Sequence, residues 1–100
     1  MTETSDVSNK YYVYILYSLR DGGFYIGFTS NLKQRLTYHS KNEVLSTKFR
    51  IPFKLIHYEY FINEKDAKAR EKFLKSGFGR KQFKEILKRT LGDLPSATNT

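Results

Sequence analysis

Apolar and polar positions alternate along two short runs near the start of the chain, from about Tyr11 to Tyr17 and from about Phe24 to Phe28. In the first, Tyr12, Tyr14 and Leu16 fall on one face and Tyr11, Val13, Ile15 and Tyr17 on the other. Both faces are apolar enough for a central strand. The second run separates Tyr25 and Gly27 from Phe24, Ile26 and Phe28 in the same way, and the link through Asp21, Gly22 and Gly23 predicts a hairpin. Gly27 leaves an open place beside Tyr25, and a missing side chain in a strand marks close approach of a ligand or another backbone.

The period then changes from two to about 3.6. Thr29, Ser30 and Asn31 offer capping oxygens, so a helix is predicted from Leu32, with Leu32, Arg35, Leu36 and His39 on one face. Residues 40–52 lack sustained period and read as a loop with Lys41, Lys48 and Arg50 available to a phosphate backbone. Phe53 to Phe61 predicts a third strand, with Phe53, Leu55, His57, Glu59 and Phe61 alternating against Lys54, Ile56, Tyr58 and Tyr60. Asn63 caps a second helix from about Glu64 to Ser76, ended by Gly77 and Gly79. A third, amphipathic segment covers about Arg80 to Leu91. The order β-β-α-β-α-α predicts an α+β domain over residues 10–91, with a small three-stranded, mainly antiparallel sheet flanked by helices. Residues 1–9 are polar and read as a disordered leader, and residues 92–100 as a tail.

Composition narrows the chemistry. The 100 residues suit one domain whose core is aromatic, drawing on 8 Phe and 8 Tyr. With no Cys and two distant His, disulfides, thiolate metal sites and a histidine zinc site are set aside. Net charge is +8, and the stretch Lys65 to Arg89 holds ten basic residues against Asp66, Glu71 and Glu85. Such a field favours a polyanion, nucleic acid before anionic lipid; the ordinary alternative is a solvated helical surface. The sequence contains no apolar run of about twenty residues, and the start lacks the basic and apolar regions of a signal peptide, so a cytoplasmic or nucleoid-associated protein is expected, with no membrane partner.

Two positions on predicted helices are out of keeping with their neighbours. Arg35 shares an apolar stripe with two leucines; the ordinary alternative packs its stem and leaves its guanidinium in water. Glu71 sits with Ala67, Arg70 and Leu74 at helical spacing. It serves either a surface ion pair worth about 0 to 1 kcal/mol or a hard cation, since Mg²⁺ binds through one or two carboxylates, waters and phosphate oxygens. His57 and Glu59 read as either a satisfied buried histidine or a sheet-edge pair, and Lys75 either touches phosphate or neutralises Glu71.

Tyr12-Val13-Tyr14, a ten-residue link, Tyr25-Ile26-Gly27, then Arg35, His39 and Glu71 resemble the GIY-YIG nuclease family. The second half of the signature is intact; in the first, Tyr12 stands where the family has Gly and Val13 where it has Ile. The likeness covers about Lys10 to Leu87 and is closest to small stand-alone bacterial members, similar to the nuclease module of junction endonucleases and of the excision-repair incision subunit. It implies a GIY-YIG fold and a DNA endonuclease dependent on Mg²⁺ or Mn²⁺, with a role in DNA repair or recombination. Branched or flap DNA is the implied substrate, and a protein partner would supply specificity. It also implies catalytic roles for Tyr14, Tyr25, Arg35, His39 and Glu71, with Glu71 on the metal and Tyr25 favoured as base. Tyr is a weak base at its ordinary pKa near 10 unless nearby cations lower it. Arg35, Lys41, Lys48, Arg50, Lys75, Arg80 and Lys81 are the candidates for contacting nucleic acid. A scaffold whose catalysis has lapsed and which only binds nucleic acid is the alternative.

Overall fold

The tyrosine-rich and β-branched runs pair as antiparallel strands, β1 (Tyr11–Ser18) lying between β2 (Phe24–Thr29) and β3 (Phe53–Phe61). The computed structural model describes residues 9–41 and 50–95; the predicted leader up to residue 8, most of the 40–52 loop with Lys48, and the end of the tail lie outside the described residues. Helices α1 (Leu32–Ser40), α2 (Glu64–Lys75), α3 (Gly77–Ile86) and α4 (Lys88–Asp93) complete the order. Among the described residues no helix is long and apolar enough to cross a membrane.

Because β1 is central, it is covered on both sides. Val13 and Ile15 join Ile26 of β2 and Ala67, Leu74 and Phe83 of α2 and α3 in the buried core, with Phe24, Phe28, Ile56, Phe61 and Leu87 packed against it. Burying each large aliphatic or aromatic side chain is worth about 1.5–3 kcal/mol. On the opposite face Tyr14 and Leu16 are equally buried, on the side where α1 lies.

Strict alternation fails in β3. Ile15 pairs with His57 but Leu16 pairs with Leu55, so Ile56 is an extra residue and the strand carries a bulge. Phe53 and Leu55 therefore share the Leu16 face, whereas His57 and Glu59 share the face of Val13 and Ile15, where the period-two reading had placed all four together. His57 Nε2 and Glu59 Oε2 lie 3.0 Å apart on this edge strand, and Arg70 of α2 grips both carboxylate oxygens at 2.9 and 3.1 Å. Burial alone would raise the Glu59 carboxyl, but Arg70 and His57 together hold it below its ordinary range.

The predicted third helix also differs. It starts at Gly77, not Arg80, and gives way at Leu87 to the short α4. Ser76 makes the junction possible: its Oγ donates to the Phe73 carbonyl at 2.6 Å and accepts from Gly79 N at 3.1 Å, closing α2 and capping α3. Gly79 does not end α2; it is buried where α3 meets α2. A Cβ there would lie 2.6 Å from the Phe73 carbonyl carbon and 2.7 Å from Leu74 Cα, with the Phe73 oxygen nearer still. Backbone cannot rotate away as a side chain can. Gly79→Ala should therefore cost about 1–3 kcal/mol or more and lower the thermal midpoint by on the order of 10 °C. Gly77→Ala, with nothing within 4 Å of its Cβ, is the control; equal midpoints for the two variants in a melting experiment would refute the packing account.

Candidate active site

Asn31 caps α1 by accepting from Gln34 N at 3.0 Å, and this sets the phase of the helix. Leu32, Arg35, Leu36 and His39 consequently face the sheet, while Lys33, Gln34, Thr37 and Tyr38 face water. Arg35 is half-buried. Its Nε is buried with no hydrogen-bond partner, and its charge is favoured first by the Tyr14 phenol and further by the Tyr25 phenol.

The place opened by Gly27 is filled by the Tyr14 ring, which pairs across from it; a Cβ at Gly27 would collide with that ring and its hydroxyl. Neither a ligand nor a backbone takes the space, contrary to the simplest reading of a strand glycine. The glycine lets the phenol lie across β2, where its oxygen sits 3.0 Å from His39 Nε2. Three rings meet here: Tyr14 and Tyr25 at 6.2 Å between centroids, Tyr14 and His39 at 5.8 Å, Tyr25 and His39 at 5.0 Å. Phe53 closes the far side of His39 at 5.9 Å.

Burial decides the charge states. Tyr14 is 0% exposed, and burial pushes its phenol up to about 12, more than Arg35 pulls it down, with Tyr25 and Glu71 adding to the rise. At Tyr14, then, burial outweighs the pull of the Arg35 cation. His39 is pushed down to about 4, by burial first and by the Arg35 charge second. His39 is therefore neutral, and one hydrogen is shared over the 3.0 Å between the Tyr14 oxygen and its Nε2, the donor being set by the imidazole tautomer.

A pH dependence follows from His39. The unfolded chain takes up its proton near 6.5 and the folded chain only near 4. Between these values the unfolded state binds more protons, so stability present above about pH 6.5 is lost as pH falls toward 4. Asp21 and Glu59, both held below their ordinary range, add their losses at lower pH. Thermal midpoints measured from pH 7.5 to 4.5 should fall more steeply for the native chain than for His39→Gln; parallel curves would refute the assignment.

Glu71 projects from α2 with its side chain 23% exposed. Its Oε2 accepts from Lys75 Nζ at 3.0 Å, so Lys75 neutralises it in this state. Its charge nonetheless reaches Tyr14. No group of three or more His, Cys, Asp or Glu suited to a metal occurs among the described residues, so Glu71 offers a cation one carboxylate. Such a donor fits Mg²⁺ or Mn²⁺ carrying waters and a substrate phosphate.

Other candidates are placed elsewhere. Arg50 is engaged within the fold: Nε meets Asp21 Oδ2 at 2.9 Å, Nη2 reaches the Phe24 carbonyl at 3.3 Å, and its own carbonyl accepts from Ser18 Oγ at 2.6 Å. Lys41 and Lys81 are exposed and Arg80 half-buried, while Lys68 and Lys84 lie over the Phe28 and Phe24 rings at 5.1 and 5.7 Å. The basic stretch is thus partly spent on covering the core. Sequence reasoning missed Ser18, wholly buried, whose Oγ also accepts from Arg20 N and Asp21 N and organises the hairpin turn. It missed the Phe53 wall behind His39 as well, for which the bulged strand leaves no periodic signal.

Residues 10–84 match the model of the GIY-YIG catalytic domain. The UPF0213 protein of Limosilactobacillus reuteri is 39% identical over 83 residues, covering 80% of this chain and 85% of that protein. A UPF0213 protein of Streptococcus pneumoniae is 36% identical over 70 residues, covering 69% and 70%. Among solved structures, the solution NMR structure of the UPF0213 protein BH0048 from Bacillus halodurans aligns with a TM-score of 0.50 at 29% identity, over 77% of this chain and 84% of that one.

Proposed function

Because this chain belongs to the GIY-YIG family, whose domain implies nuclease activity on DNA, we propose that it is a divalent-metal-dependent endonuclease of DNA repair or recombination. The observation carrying this reading is the convergence of Tyr14, Tyr25 and His39 on the Arg35 guanidinium, with the Glu71 charge in reach. A lapsed scaffold has no physical need for a buried, unpaired Arg35 Nε, which costs about 1–3 kcal/mol. Residues 10–91 form the catalytic unit in this reading.

Arg35 engages the non-bridging oxygens of the scissile phosphate and stabilises the charge that grows there. Tyr25, half-buried where Tyr14 is sealed, acts as its phenolate: it takes the proton of the attacking water and becomes a phenol as the new P–O bond forms, while the bond to the 3′ oxygen breaks and that oxygen takes a proton from solvent. Tyr14 is a positioning residue, since it is sealed from solvent: it favours the Arg35 charge and holds His39 through the 3.0 Å contact to Nε2. Glu71 holds the cation, Mg²⁺ or Mn²⁺. When bound, such an ion supplies Lewis-acid stabilisation of phosphoryl or leaving oxygens, worth several kcal/mol.

Incubation of the purified chain with labelled linear, flap and junction DNA in Mn²⁺ tests this reading. Cleavage that requires the metal and disappears in folded Arg35→Ala and Glu71→Ala variants supports it, and the ranking of substrates identifies the preferred structure. Intact DNA that is shifted in a low-salt gel would instead favour the binding-only scaffold, since binding through phosphates weakens steeply with salt.

A further inference from the structure

Along the flank of α1 that carries Leu32, Lys33 and Leu36, the sheet face bears tyrosines that the catalytic constellation leaves unused. Tyr58 pairs with Tyr14 and Tyr60 with Tyr12, so all four rings belong to one face of the sheet. Tyr14 is sealed, but Tyr58 and Tyr60 are 52% and 50% exposed. The Tyr12 ring, on the adjacent strand, lies 6.1 Å from Tyr58 and 5.5 Å from Tyr60. This is the position at which the family signature has Gly. The side chain that departs from the signature thus builds the wall of an open cleft of about 500 Å³ between Tyr12, Tyr58 and α1, with Lys10 and Lys33 among its lining residues. Its size lies within the roughly 300–1,000 Å³ of small-ligand sites.

We infer that this cleft takes an unpaired nucleobase of the substrate, stacked on the exposed Tyr58 ring with Tyr12, inclined at 63° to it, against the edge of the base, and with Lys10 and Lys33 on the flanking phosphates. Aromatic rings that stay exposed beside cations are the elements that bind single-stranded nucleic acid: rings stack on any base, and lysines track the backbone. A second copy of this chain is the other candidate occupant, and a net charge of +8 on each copy opposes it. The inference rests on the nuclease reading for the identity of the polymer and deepens it, since a base docked beside the catalytic strands selects DNA with an unpaired segment, such as a flap or a branch point, over continuous duplex.

The test compares binding, in EDTA and at fixed salt, of a short oligothymidylate and an abasic oligonucleotide of equal length and charge. The native chain should prefer the base-bearing strand by about tenfold or more. Tyr58→Ala should abolish that preference and Tyr58→Phe, which keeps the stacking face, should retain it. Equal binding of the two strands by the native chain would overturn the inference. So would a Tyr58→Ala variant that loses affinity equally for both, or that dissociates a dimer by sedimentation without changing the preference. Cleavage by the native chain in Mn²⁺ is measured separately: base-dependent binding through Tyr58 without any cleavage would leave this inference standing and remove the nuclease reading.

Discussion

Arg35→Ala is expected to slow DNA cleavage by about 10²–10³-fold, the usual cost of removing one preorganised donor from a developing oxyanion. Arg35 is no ordinary surface cation: its Nε is buried without a partner and its charge is favoured by two phenols. A guanidinium already lodged beside two phenols is expected to need little reorganisation as charge develops. Arg35→Lys should recover only part of the rate, because an ammonium is a point charge and cannot engage two oxygens in one plane. An independent readout accompanies the loss. The Arg35 charge contributes to holding His39 down at about 4, so the His39 titration followed by NMR should move upward in Arg35→Ala. Full activity in a folded Arg35→Ala variant would sink the assignment.

Glu71→Gln is expected to remove most metal-dependent cleavage while leaving the fold intact. Lewis-acid stabilisation of several kcal/mol corresponds to a rate factor of about 10² or more at about 1.36 kcal/mol per tenfold. The half-exposed ion pair with Lys75 contributes little to stability, so the thermal midpoint should hardly change. The Glu71 charge helps raise the Tyr14 phenol to about 12. Its neutralisation should lower that value, which ultraviolet titration can follow. Cleavage by Glu71→Gln at the native rate, with the native metal requirement, would refute the role.

Much of this was legible in the sequence because it depends on local period and capping. The face of α1 follows from Leu32, Arg35, Leu36 and His39 at helical spacing, with Asn31 capping as expected, and the central place of β1 follows from two apolar faces. What escaped depends on partners distant in sequence. Gly79 reads as a helix terminator until the Phe73 carbonyl is seen against it. Gly27 reads as open space until the Tyr14 ring is seen filling it. The sign of the Tyr14 shift was out of reach for the same reason: a cation nearby is visible in the sequence, but the burial that outweighs it is a property of the assembled face.

The extra residue at Ile56 makes β3 a joint whose two halves answer to different helices. Phe53, before the joint, backs His39 of α1, whereas Glu59, after it, is gripped by Arg70 of α2. Past the joint the strand still serves both sides, because Tyr58 keeps to the α1 side while His57 and Glu59 turn to α2. One edge strand thus ties together two helices that pack on opposite faces of the sheet.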